Sequence, residues 1–537
     1  MNLGRRSFLQ SAAMLIAHSR LHAMGFDSSC TDDAALMSVG LQKQLFFDDL
    51  LIESVQDITR EFHQARKDDA NPLIVKDKPW EHVVQFRSSG YTILRDPKDK
   101  LFKAWYTDEG FTNENVRRGV TWPPYRSLYA YSEDGIHWVK PKLGIYPENG
   151  EDTNIYSTGF DECTVLLDPS DPDGSKRFKR IGFWAPPNVE AFNEHGVPLA
   201  RIEATYSADG VHWKKYDEDP TFGKFGPNLG DSTILSYDPD TRSYILTTRH
   251  PFMGTVAQNT RLPKTKSFLR PYYPGNFSKM EKRRVYQSVS NDFIRWSEPQ
   301  LILNLDEYDN LDDYLYAMNQ YQIGGTRIGF LNILHSVPDV MDVQLAYSRD
   351  GRCWKRTHKP WLTTGPAGSW DQVMIEITND PVEVGDELWL YYGASGFGHH
   401  DWYINGFLEG LNVPEVKDVS KVGFFLGLAK LRLDGFCSLN AGPVREGILI
   451  TRPLASPGSE IVMNAECGEG GSIDVEVYDQ ADVVLPGYSR KDFDHFTGNA
   501  VRQRLSWQSR TKVPVQPFRR LVFYMRNAKL YSLSFSG

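Results

Sequence analysis

The stretch Tyr131-Ser132-Glu133-Asp134-Gly135-Ile136-His137-Trp138 decides how this chain is read, because it returns. It recurs as Tyr206-Ser207-Ala208-Asp209-Gly210-Val211-His212-Trp213, as Val289-Ser290-Asn291-Asp292-Phe293-Ile294-Arg295-Trp296 and as Tyr347-Ser348-Arg349-Asp350-Gly351-Arg352-Cys353-Trp354. A faded fifth copy reads Leu431-Arg432-Leu433-Asp434-Gly435-Phe436. Asp-Gly makes a tight turn, and the tryptophan after it fills a gap between packed sheets. Repetition of one supersecondary unit is the mark of a repeat fold.

Working outward, each copy follows a hairpin. Residues 91–97 lead to 101–106, 163–169 to 178–183, and 232–239 to 244–248; 318–323 turn at Gly324-Gly325 into 327–331, and 377–384 turn at Gly385-Asp386 into 388–392. Alternating apolar residues around Asp-Pro or Gly-rich turns are hairpin signals. The first four repeat tryptophans are 75, 83 and 58 residues apart, more than the ~40–45 residues of a compact blade, so each unit carries loops. Five such modules over residues 40–445 predict a five-bladed β-propeller. After that the style changes: short strand candidates at 461–465, 472–478, 501–507, 520–524 and 530–534 predict a C-terminal β-sandwich over 446–537. The expected fold class is all-β, a five-bladed β-propeller followed by a C-terminal β-sandwich.

At 537 residues the chain exceeds one ordinary core. A formal net charge of −9 argues against a nucleic-acid partner, which selects a basic stripe. Gly4-Arg5-Arg6-Ser7-Phe8-Leu9, followed by a short apolar run, reads as a twin-arginine export signal within a leader of residues 1–30. That run is too short to span a bilayer, and no later segment is long and apolar enough. The expected location is periplasmic or extracellular. Cys30, Cys163, Cys353, Cys437 and Cys467 are scattered singly; their spacing suggests no zinc site and is read as buried free thiols. No metal or other cofactor is expected. His399-His400-Asp401 lies in a loop at the edge of the expected pocket, but adjacent histidines rarely chelate one ion.

In a propeller the innermost strands line a funnel. Seven residues before the hairpin-turn Asp168 stands Asp161, followed by Glu162; seven before Asp238 stands Asp231; seven before Asp96 stands Ser89, beside Arg87. The fourth unit opens with Asp312-Asp313, and the fifth with Trp370-Asp371 followed by Glu376. Carboxylates at one place in several blades suit glycoside hydrolysis, in which one must hold a proton and another be ionised; crowding pushes their pKa values apart. The expected catalytic set is Asp231, Glu162, Asp161, Asp371 and Glu376. Trp80, Arg87, Arg249, His335 and Trp402 are the expected carbohydrate-binding residues. The repeated turn residues Asp134, Asp209, Asp292 and Asp350, and Asp96 in its hairpin, are read as scaffold.

Leu45-Phe46-Phe47-Asp48-Asp49, Asn71-Pro72-Leu73, Leu94-Arg95-Asp96-Pro97, the repeated Ser-x-Asp-Gly-x-x-Trp and the tail 526–535 make the chain resemble five-bladed propeller glycosidases of glycoside hydrolase families 32 and 43, in a bacterial branch. The resemblance implies an Asp, a second Asp and a Glu in successive blades, and, for family 32, a C-terminal sandwich. The family 32 motif Trp-Met-Asn-Asp-Pro-Asn is absent, with Phe47-Asp48-Asp49 a loose counterpart, and Asp161-Glu162-Cys163 falls in the second blade instead of the third. Fructan specificity is therefore not carried over. Two other readings stand beside the hydrolase: a non-catalytic carbohydrate-binding propeller, because Ser89 replaces the recurring Asp, and a polysaccharide lyase in which Arg87 or Arg249 neutralises a uronate.

Overall fold

The computed structural model describes residues 37–117, 125–184, 201–223, 229, 232–248, 283–335, 338–398, 418–517 and 519–537. The described chain is nearly all β, with one short α-helix, Asn113–Arg117, and two 3-10 turns.

Five antiparallel meanders follow one another, each beginning with an inner strand that runs into a hairpin turn; the fourth and fifth join into one nine-stranded sheet through a parallel pairing of Met341 with Met374. The first is Val83–Gln85 with Tyr91–Arg95, then Phe102–Glu109, Tyr125–Ser132 and Ile155–Thr158. The second is Phe160–Leu167, Phe178–Trp184, Arg201–Ser207 and Lys214–Lys215; the third is Thr233–Asp238, Ser243–Thr248 and Val285–Ser290, with Arg295–Trp296 and Gln300–Leu303 outside. The fourth is Asp313–Ile323, Thr326–His335, Val340–Ser348 and Lys355–Leu362. The fifth is Met374–Glu376 with Val382–Val384, then Glu387–Ser395 and Phe425–Arg432. Its outermost strand, Arg66–Lys67, comes from near the start of the chain and pairs antiparallel with Ala429 and Lys430.

Consecutive meanders are fastened at their hairpin turns. Asp96, fully buried, accepts from Lys103 Nζ in its own sheet and from both Arg177 Nη atoms of the next, at 2.6–2.9 Å. Asp168 accepts from Lys179 at 2.7 Å and from the Tyr244 hydroxyl of the third meander at 2.5 Å. Asp238 accepts from Arg327 of the fourth. At the fourth turn the partner is the N-terminal segment instead: Gly325 N–H donates to Lys43 O at 2.9 Å, and Arg349 binds Asp48 and Leu45 O. The fifth meander lies against the first, where Phe102 stacks on Trp389 and the Tyr391 hydroxyl donates to Gly135 O at 2.9 Å.

The repeated motif is one local structure. Ser132 Oγ accepts from Gly135 N–H, and Asp134 Oδ1 accepts from the N–H groups of Ile136 and His137, each at 2.8 Å. The same bonds recur around Asp209, Asp292 and Asp350. Gly135, Gly210 and Gly351 sit at φ +72° to +83°, a region glycine enters freely. Phe293 takes that place in the third copy at φ +69° and is fully buried between Tyr244 and Trp296. The faded fifth copy is a different turn: Asp434, not Gly435, has positive φ, and its carboxylate binds Lys43 and Ser532.

The C-terminal strands form a sheet about two long strands, Glu460–Tyr478 and Arg520–Ser536, each spanning two of the expected short ones. The register shift between Cys467 and Ser472, at Gly468-Glu469-Gly470-Gly471, lets the first continue through its bend. The sheet also takes in Ile52–Gln56, Ile58–Phe62 and Cys437–Ala441, so both ends of residues 40–445 are hydrogen-bonded into it. Phe46 and Phe47 are buried in the core it shares with the fourth and fifth meanders. Cys437 and Cys467 are free thiols, whereas Cys353 is disulfide-bonded, which corrects the expectation of free thiols throughout. Among the described residues no helix is long and apolar enough to cross a membrane.

Two outcomes are expected. Asp96→Ala leaves Lys103 and Arg177 facing each other without their buried counter-ion and costs about 3–5 kcal/mol in urea unfolding. Burial alone would raise the Asp168 carboxyl, but Lys179, Ser170 and Tyr244 more than offset it and hold it at about 2 against an ordinary 3.8. A depressed carboxyl stabilises the fold fully above its ordinary value. The part of acid unfolding that Asp168→Asn removes should therefore fall between about pH 4 and pH 2.

Candidate functional site

Each inner strand starts at one end of its meander and reaches its hairpin turn at the other. The starting ends carry Ser88-Ser89, Asp161, Ser232, Asp313 and Glu376; bonds from Ser88 to Glu376 and Tyr316 and from Ser89 to Thr233 bring the first, third, fourth and fifth inner strands together. The inner strands are stitched to one another there. Ser89 Oγ accepts from Thr233 N–H at 3.0 Å, Thr164 Oγ1 donates to Thr233 O at 2.6 Å, and Val165 N–H donates to Thr92 Oγ1 at 2.9 Å. Pairing in the second inner strand slips between Asp161 and Cys163, and in the fourth between Leu315 and Ala317. Such bulges re-aim side chains and gather beside active sites.

Glu376 ends the first part of the fifth inner strand and is fully buried. Its Oε2 accepts from Ser88 N–H at 2.8 Å, and its backbone carbonyl accepts from the Tyr91 hydroxyl at 2.9 Å. Ser88 has φ +49°, and its hydroxyl donates to Tyr316 Oη at 3.3 Å. This seat depends on close approach of the fifth meander to the first: a Cβ on Gly393 would fall 1.3 Å from Phe86 O.

On the other side of the Arg87-Ser88 turn stands Glu109, at the end of the second strand of the first meander. Arg87 Nη2 reaches its Oε1 at 3.2 Å while the guanidinium lies over the Phe424 ring. Burial, opposed by Arg87, leaves the Glu109 carboxyl above its ordinary value. Glu109 was not among the expected site residues. Its signal is slight: an Asp-Glu pair closing an otherwise aromatic and apolar strand. Its neighbour Asp108 is a structural group, accepting from His82 N–H at 2.7 Å and from Arg126.

His335 closes the second strand of the fourth meander. Its ring nitrogens face Asp313 Oδ1 at 2.7 Å and Asp342 Oδ2 at 3.2 Å. The hydrogen bonds to these two carboxylates raise the imidazole from 6.5 to about 10, overriding its partial burial. Both ring nitrogens are engaged by carboxylates, which favours the charged form of the ring. Asp313 also accepts from Asn310 N–H at 2.8 Å, which ties down the loop leading into the fourth inner strand.

The expected residues separate accordingly. Glu376 and Arg87 come together around Ser88, while His335 is held by Asp313 and Asp342. Trp80 is buried in the core of the first meander, its indole N–H donating to Asn154 Oδ1 at 2.8 Å, so packing accounts for it. Asp371 has a separate set of partners: Lys67 Nζ at 2.5 Å and Ser369 Oγ at 2.8 Å. Asp161 and Glu162 stand at the bulge of the second inner strand, with side chains outside the described residues. Asp231, Arg249, Trp402 and His399-His400-Asp401 lie outside the described residues altogether. Among the described residues no group of three or more His, Cys, Asp or Glu is arranged to hold a metal.

No family model matches the chain, and no curated protein matches it. Solved structures similar to it include an N-acetylgalactosamine deacetylase from F. plautii in complex with blood group B trisaccharide, at 18% identity and TM-score 0.41, over 70% of this chain and 96% of that one. A glycosyl hydrolase from Bacteroides ovatus is similar at 13% identity and TM-score 0.42, over 73% and 97%. The GH32 β-fructofuranosidase of Bombyx mori is similar at 9% identity and TM-score 0.39, over 86% and 94%. The activities named are those of the compared proteins.

A titration of the histidine ring signals by NMR tests the His335 clamp. The ring should stay charged through pH 8 and lose its proton only near pH 10; Asp342→Asn should bring that midpoint down. Because the folded value is raised, the stability it lends is complete below about pH 6.5 and is lost as the pH climbs toward 10.

Proposed function

We propose that the five meanders are the blades of a five-bladed β-propeller over residues 40–445, that the sheet of residues 446–537 is its C-terminal sandwich, and that the protein is an exported glycoside hydrolase. The observation that carries the reading is the pair of buried glutamates, Glu376 and Glu109, bracketing the Arg87-Ser88 turn where the inner strands begin. A carboxyl raised by burial, as Glu109 is, can hold the proton that the acid of a glycoside hydrolase must donate. Glu162 or Glu376 is the proton donor and Asp231 the ionised base or nucleophile, with Asp161 in the same set; Glu109, held above its ordinary value, joins the candidates for donor. Asp371 is withdrawn from this set because Lys67 already neutralises it. The acid protonates the departing glycosidic oxygen as the bond to the anomeric carbon breaks. A water oxygen completes the new bond, its proton going to the carboxylate. The two-carboxylate mechanism needs no cofactor. The twin-arginine motif supports export to the periplasm or beyond, and the disulfide at Cys353 suits an oxidising compartment.

A second reading is a carbohydrate-binding propeller without turnover. Ser89 favours it, since its hydroxyl is committed to Thr233 N–H where the other blades are read as offering a carboxylate.

Mass spectrometry of products after incubating the chain with plant and algal glycans decides between them. Fragments that have gained water establish a hydrolase, unsaturated fragments a lyase, and binding without products the second reading. In the hydrolase case Glu162→Gln, Glu376→Gln or Glu109→Gln should lower kcat by about 10²–10⁴-fold with folding preserved. Full activity in all three would remove the acid assignment.

A further inference from the structure

A concave site lies apart from the glutamate pair. It is a cleft of about 430 Å³ between the outermost strand of the fourth meander, at Trp361 and Leu362, and the face of the fifth. Neither Glu376, Arg87, Glu109 nor His335 lines it. The side chain of Asp371 is only 6% exposed and pairs with Lys67. Trp370, half-buried, stacks on the buried Tyr392 ring with centroids 5.9 Å apart and planes 20° from parallel, and Lys67 Nζ stands 5.7 Å from the centroid of that ring. Gly365 lets the chain pack directly on this carboxylate: a Cβ there would lie 2.1 Å from Asp371 Oδ1.

We propose that this cleft is a carbohydrate-binding subsite that holds a sugar unit remote from the bond being cut. An ammonium has three donors and a carboxylate several acceptor positions, so the Lys67–Asp371 pair offers a donor and an acceptor side by side, as vicinal hydroxyls require. The pair is neutral as a whole, which suits an uncharged polyol over an ion. The Trp370–Tyr392 slab supplies the flat apolar wall against which a sugar face packs. Glu376 follows Asp371 by five positions, at most roughly 18 Å of extended chain, a spacing within the reach of one polysaccharide. The class of ligand rests on the carbohydrate reading of the glutamate site.

The test is electrophoresis of the full chain through native gels containing soluble pectin, xylan or mannan. The chain should be retarded by at least one of them. Asp371→Asn should weaken that binding by about tenfold or more, the usual loss for a hydrogen bond to a charged group. Thr364→Trp, which adds bulk at the cleft lining while leaving Lys67 and Asp371 unchanged, should abolish it; Glu376→Gln should not. Unchanged retardation of both cleft variants overturns the proposal. So does loss in Glu376→Gln alone, which would place the sugar at the glutamates and leave the hydrolase reading intact. Absence of retardation in every gel also overturns the cleft, and product release from the same polysaccharides then judges the hydrolase reading separately.

Discussion

A buried carboxylate at a hairpin turn, shared between two sheets, is the constraint on which the rest of this structure depends. A four-stranded meander has two apolar faces and cannot bury either alone. Apolar packing is non-directional and would leave neighbouring sheets free to slide. Asp96 with Arg177, Asp168 with Tyr244 and Asp238 with Arg327 remove that freedom, because each acid binds one defined side chain of the next sheet. A buried ion pair adds little net stability, but severing it is costly, so its effect here is to set register. At the fourth turn there is no acid, and the backbone of Lys43 does the fastening through a glycine that lets the chains touch.

With the far end pinned, the near end can carry polar groups that a looser assembly could not hold. Glu376 is placed by the backbone of Ser88 in the neighbouring meander, and Ser88 is held in a left-handed conformation to make that bond. His335 is gripped by acids from the first and third strands of its own meander. The groups at that end are thus held by elements whose spacing the turns at the other end help to set.

Much of this was legible in the residues. The repeated Ser-x-Asp-Gly-x-x-Trp phrase is visible because four sites need the same positive φ and the same side-chain-to-backbone bonds. Alternation around Asp-Pro turns placed the inner strands to within a few residues. The site was harder. Glu376 and Arg87 stood out because they sit at the starts of inner strands, the position being compared. Glu109 did not, since it ends a second strand and meets them only through pairing across the sheet. Asp371 and Glu376 are near in sequence, yet one turns to Lys67 and the other to Ser88, a difference set by partners more than 280 residues away along the chain. Trp80 looked like an open platform because an indole in a polar stretch gives no hint of the asparagine that buries it.

The strand that completes the fifth meander is made long before the strand it joins. Lys67 pairs with Ala429, about 360 residues later. At ordinary synthesis rates of roughly 5–20 residues per second, that segment waits on the order of 20–70 s for its partner. Meanwhile Lys430 and the acid it meets, Asp68, cannot yet neutralise each other. The charges of Arg66, Lys67, Asp68 and Asp69 keep this unpaired edge hydrated and unattractive to other nascent strands. The same residues that later seal the assembly therefore act, during its birth, as a guard against premature partners.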